Sequence, residues 1–251
     1  MNSAYNKFMK GTLPIVMNFL LPIMVFMATM VSSSQAPLPT AEIKSPDLNL
    51  ILQKMEDVEH KDFAQSKSYD VTREYKLFHG AEAQPASEVV AQVTFVPPDV
   101  IRYKIMQTRG SSRGEQIVRY LLSLETGSAK QGHGSEISRA NYNFVFLREE
   151  NIGAIPEYVL GMIPKRKDKY LLRGQTWVDA NTFHIRRVEG IPAKSPSFWI
   201  KGIYITLQLG RLGSLWVPIS FDAVGAVRVL GQFTLDGIDI QASEPHASTP
   251  E

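Results

Sequence analysis

Apolar and polar positions along this chain follow three different rhythms. From Leu13 to Val31 apolar residues run almost unbroken. Next, Leu48, Leu50, Ile51, Met55 and Val58 recur at three- and four-residue spacing, the period of an amphipathic helix. Pro46 and Asp47 stand where such a helix opens, and the pattern predicts an end near Lys61. From Tyr69 onward the period is two. Short runs rich in β-branched and aromatic residues occupy 71–78, 89–96, 100–106 and 117–124, with Gly, Pro and Ser clusters between them. The series resumes at 142–147, 157–162, 170–178, 183–190, 198–209, 215–221, 226–230 and 232–240. Residues 125–139 read as a polar, Gly-rich loop, and Asp179-Ala180-Asn181 as a hairpin turn. One helix followed by about ten to twelve antiparallel strands predicts a mainly β fold with a few helices, built on a large curved sheet or partly closed barrel.

The alternation also shows which side of the sheet is apolar. In 198–209 one face carries Trp199, Ile203, Ile205 and Leu207, and the other Phe198, Ile200, Tyr204 and Thr206. Phe183 with Ile185, and Trp177 in the strand before them, extend the apolar rows. One helix cannot cover so wide an apolar face. Either the sheet folds on itself to fill a core, or it encloses a cavity that takes an apolar ligand. In the second case the candidate lining residues are Trp177, Phe183, Ile185, Trp199, Ile203, Ile205 and Leu207. The helix at 47–61 is then either core cover or a movable lid.

Lys7 and Lys10 precede the first apolar run, and Ser32, Ser33 and Ser34 follow it. Basic, apolar and small-residue parts in that order are those of a secretory signal. A retained membrane anchor is the rival reading, since 19 apolar-rich positions nearly span a bilayer. Both place the domain beyond the inner membrane, in the periplasm. The expected organisation is a signal or anchor at 1–34, an extended proline-rich lead-in at 35–46, a β domain at 47–241 and a polar tail at 242–251.

Charge adds little. The net charge of +2 comes from the first segment alone; beyond it 25 basic residues face 25 acidic ones, so nucleic-acid binding has no electrostatic support. The chain has no cysteine, which excludes disulfides, thiolate metal sites, a cysteine nucleophile and a lipid-acceptor cysteine. The five histidines show no metal-ligand spacing, and no nucleophile elbow or phosphate loop is present. No catalytic residue, metal or cofactor is therefore expected. Lys165, Arg166 and Lys167 form the densest basic cluster, either a solvated hairpin loop or a contact for an anionic head group or envelope partner. Arg102, Arg119 and Arg173 lie in apolar runs, where an outward orientation is the default.

Residues 169–179 contain Gly174-Gln175-Thr176-Trp177-Val178-Asp179, followed by 183–190 with its basic pair Arg186-Arg187. A long strand and then Trp216-Val217-Pro218 complete the set. This rhythm resembles the outer-membrane lipoprotein-sorting-protein-like superfamily, which includes LolA, LolB and the sensor domain of RseB-type regulators. The resemblance implies an unclosed antiparallel half-barrel whose concave apolar face is covered by helices, and in the carriers that cavity holds acyl chains. The insert at 192–197 and the 125–139 segment depart from the carriers, so the chain resembles other secreted members more than the carriers themselves. The expected function is a non-enzymatic periplasmic carrier or binding protein for a lipid or lipoprotein acyl chain. The alternative is a cell-envelope interaction or sensor domain with a self-filled core.

Overall fold

The computed structural model describes residues 46–98, 100–130, 134–198, 200–213, 215–227 and 231–243. The signal or anchor at 1–34, most of the lead-in, Trp199 and the tail from 244 lie outside the described residues. No helix among the described residues is long and apolar enough to cross a membrane.

Helix α1 spans Leu48–Ala64, where the three–four periodicity placed it. Asp47 caps it, its carboxylate accepting from the backbone amides of Asn49 at 2.9 Å and Leu50 at 3.5 Å. The chain then forms β1 (Tyr69–His79), β2 (Ser87–Val96) and β3 (Val100–Gly110). Helix α2 (Ser112–Ala129) follows, and after it β4 (Tyr142–Ile152), β5 (Ile155–Pro164), β6 (Leu172–Asp179) and β7 (Ile185–Pro192). The long strands β8 (Ile200–Leu212), β9 (Leu215–Val227) and β10 (Gly231–Ser243) complete the set. All ten strands join one antiparallel sheet in the order β3-β2-β1-β10-β9-β8-β7-β6-β5-β4. β3 and β4 are its free edges, so the sheet is not closed and the expected half-barrel architecture stands.

One run differs from expectation. The 117–124 run is not a strand but the middle of α2, which also takes in the first part of the supposed 125–139 loop. Six of its eight residues are apolar, too dense for a period of two or of 3.6 to show. The buried set is Val118, Leu121 and Leu122, a helical spacing, and Ser111 caps the helix by accepting from the Gly114 amide. Of the 226–230 run, Ala226 and Val227 are the end of β9, and 228–230 lie outside the described residues.

Both helices cover the sheet from the side on which its apolar rows point. On β1 every second residue from Val71 to Leu77 is buried, as are Val89, Ala91 and Val93 on β2. Val118, Leu121 and Leu122 of α2 pack on this row. Ile51, Leu52 and Met55 of α1 pack on the opposite half, against Leu160 of β5 and Val178 of β6. Each such aliphatic side chain contributes about 1.5–3 kcal/mol when fully buried. α2 can sit this close to the sheet because Gly114 meets Ser87 with no side chain between them; a Cβ there would lie 2.1 Å from the Ser87 hydroxyl oxygen. That hydroxyl accepts from the Ser111 amide at 3.1 Å, so one serine fixes both the helix start and its distance from β2.

Candidate functional site

Two helices on a ten-stranded apolar face leave space between them, and it forms two neighbouring cavities. The first, about 300 Å³, lies between the second half of α1 and the β8–β9 hairpin. Met55, Phe183, Ile185, Leu209 and Trp216 are among its walls. The second, about 220 Å³, lies under the C-terminal half of α2, between Leu121 and Leu124 and the β8 row Ile203, Ile205 and Leu207. Pro218 of β9 lines both, and Leu207 and Leu209 are successive same-side residues of β8, so the two spaces adjoin. Both have apolar walls that can hold hydrocarbon, the first beside Glu59, Asp62, Gln65, Lys67 and His184 at its rim; no group of three or more His, Asp or Glu among the described residues could hold a metal.

The β6–β7 hairpin carries the tip of the first cavity. Asp179 at its base accepts from the amides of Asn181 at 2.9 Å and Thr182 at 3.0 Å. Its own carbonyl takes the Phe183 amide at 2.8 Å. This tight turn sets Phe183 at φ +61°, a conformation unfavourable for a bulky side chain by about 1–2 kcal/mol. Below it, Glu157 and Asp179 oppose each other across β5 and β6, both buried, and share Arg186, which lies 2.9 Å from Glu157 and 3.7 Å from Asp179. Burial pushes the Glu157 carboxyl above its usual range, against the pull of Arg186. The hairpin is thus held from beneath by charge and from above by α1. Lys54 of α1 places its ammonium 4.9 Å from the Phe183 ring centre, and Asp62 meets His184 Nε2 at 3.1 Å. The His184 ring lies 4.5 Å from that of Trp216, whose indole N–H donates to the Ile185 carbonyl at 2.7 Å.

Of the residues the sequence singled out, Phe183 and Ile185 line the first cavity, and Ile203, Ile205 and Leu207 the second. Trp199 lies outside the described residues. Trp177 lines neither cavity. It pairs with Val159 and Arg187, and its neighbour Val178, on the other face of β6, packs under α1. Its indole N–H donates to Glu150 at 2.6 Å and the Arg187 guanidinium sits 4.9 Å from its ring. Trp177 therefore belongs to a polar–aromatic cluster apart from the cavities.

Arg102, Arg119 and Arg173 are exposed, as the default reading held. The arginine that points inward is Arg73, only 6% exposed, with its Nη1 3.4 Å from both carboxylate oxygens of Glu125. Its signal was present: Val71, Arg73, Tyr75 and Leu77 share one parity of a strand. Lys165 and Arg166 fasten the loop before β4, Lys165 donating to the Arg139 carbonyl and Arg166 to Asn141 Oδ1, each at 2.6 Å; Lys167 is exposed.

No protein-family model matches the sequence, and no curated protein matches it. Solved structures to which the chain is similar include lipoprotein-sorting, DUF1329 and LolA-superfamily proteins. A domain assigned as an outer membrane lipoprotein-sorting protein from Vibrio parahaemolyticus shares 14% identity over 80% of this chain and 95% of its own, with a TM-score of 0.43. A DUF1329 family protein from Desulfovibrio piger shares 13% identity over 80% and 94%, also at 0.43. A LolA superfamily protein from Nitrosomonas europaea shares 14% over 79% and 93%, at 0.34.

Proposed function

We propose that this chain is a non-enzymatic binding or carrier protein of the bacterial periplasm that shelters a lipid or acyl chain between its curved sheet and its two helices. The observation that carries this reading is the adjoining pair of apolar cavities that meet at Pro218. Each methylene moved from water into such a space contributes about 0.8 kcal/mol, so hydrocarbon binds there without polar recognition. The signal-like 1–34 segment supports export. The resemblance of the Trp177 and Trp216 motifs to the lipoprotein-sorting superfamily supports the ligand class. A second reading, an envelope interaction or sensor domain with a self-filled core, is favoured by the size of the cavities, which is at or below the lower end for ligand pockets.

Gentle purification from a bacterial periplasm, organic extraction and mass spectrometry separate the two. A carrier yields a stoichiometric co-purifying lipid. Added phospholipid or fatty acid at a hundredfold excess over its Kd raises the Tm of the stripped chain by roughly 5–10 °C. An empty extract together with an unmoved Tm leaves the self-filled domain.

A further inference from the structure

We propose that the second cavity is a site for a carboxylate-headed lipid, a fatty-acid anion whose head is received by Arg73 in place of Glu125. This rests on the apolar-cavity reading and adds the head group to it. Arg73 stands in the middle of the apolar row of β1, between Val71 at 2% and Tyr75 at 3% exposure. A guanidinium so placed is costly unless an anion faces it. One anion beside it belongs to the chain itself. Glu125 of α2 brings both carboxylate oxygens to 3.4 Å from Arg73 Nη1, and the Tyr75 hydroxyl lies 3.5 Å from the same nitrogen.

Charge-assisted N–H···O bonds close to about 2.7–2.9 Å, so this contact is long for its type. α2 holds Glu125 at a distance that a mobile carboxylate need not keep. Glu125 is 33% exposed at its side chain and Arg73 only 7%, so the acid is the partner with room to swing outward. Lys169 lines the same cavity, its ammonium 4.8 Å from the Tyr170 ring centre. The charged residues of the described lining are thus Arg73, Glu125 and Lys169. Beyond the charged end the walls are Leu121, Leu124, Ile203, Ile205 and Leu207, and the space continues past Pro218 toward the first cavity. A cationic end, an apolar barrel and an onward path fit a head and a tail in that order.

The test compares palmitate with hexadecanol, which has a tail of the same carbon number and no charge, by calorimetric titration of the stripped full-length chain at pH 8. Wild type binds palmitate roughly tenfold or more tightly than hexadecanol, the range of one charge-assisted bond. Glu125→Gln removes the competing acid and tightens palmitate severalfold. Arg73→Met erases the preference while hexadecanol binding stays. Because Arg73→Met alone strands Glu125, the double variant Arg73→Met/Glu125→Gln serves as the folded control, checked by circular dichroism. Equal binding of the two ligands by wild type overturns the proposal and leaves the apolar-cavity reading standing. So does a palmitate preference that survives in the double variant. Binding of neither ligand overturns the apolar-cavity reading itself.

Discussion

Phe183 is the non-glycine residue with positive φ among those described, and it stands at a cavity wall rather than on an idle turn. Residues held in sparsely populated conformations persist where their surroundings over-determine them, here through Asp179 and Lys54. Gly174 is under a similar constraint. A Cβ there would lie 1.8 Å from the Glu189 carbonyl oxygen on β7, with Gly190 directly opposite. Gly174→Ala should destabilise the domain by roughly 1–3 kcal/mol, read from urea midpoints. Asp236 and Asp222 face each other across β10 and β9, and burial, then their mutual repulsion, raises the Asp236 pKa. A raised carboxyl pKa means that the folded form holds its proton more tightly than the unfolded chain. The cost of ionisation therefore appears as pH rises above the ordinary aspartate value of about 3.9 and is complete above the folded pKa. Asp236→Asn should stabilise the protein at pH 7 by a few tenths to about 1 kcal/mol and give no gain near pH 3. Residue-level detail was only partly legible. Ile203, Ile205 and Leu207 followed from strand parity, and the same rule puts Trp177 on the face of β6 opposite Leu172 and Val178, outside the cavity set.

Helix α1 was legible because its apolar stripe is interrupted by polar residues at the right interval and Asp47 marks its start. α2 was not, because a short run with six apolar residues in eight fits strand and helix equally, and only contact with β1 and β2 decides. α1 is fastened at its middle and in its last turn by polar contacts: Lys54 to Phe183, Glu56 to Arg139 and Asp62 to His184. The bond from Arg139 lowers the Glu56 pKa. A lowered carboxyl pKa contributes stability that is present at neutral pH and is lost as pH falls through the folded value, below the ordinary glutamate value of about 4.3. Glu56→Gln should therefore speed amide exchange in α1 roughly two- to fivefold at pH 7. Near pH 3 the difference between variant and wild type should be smaller, since the folded-state carboxylate is then closer to its lowered pKa. Hydrogen exchange read by mass spectrometry at the two pH values checks both halves.

At the scale of the molecule, the order of strands explains why a cavity exists at all. The first strand pairs with the last, and β3 and β4 remain apart, so the sheet curves without closing. Curvature points apolar rows inward, and two helices of 17 and 18 residues cover different halves of the concave side. Sequence alternation made the excess of apolar surface legible. It left open whether that surface meets itself or a ligand, because this depends on how far α1 and α2 stand from β8 and β9. The most direct measurement is calorimetric titration of the lipid-stripped chain with a long-chain fatty alcohol, beside Ile205→Trp, which fills the space under α2. A lipid-binding half-barrel gives saturable binding with a negative heat-capacity change in wild type, and at least tenfold weaker binding in a variant of unchanged Tm. No binding by wild type, or equal binding by the filled variant, contradicts it.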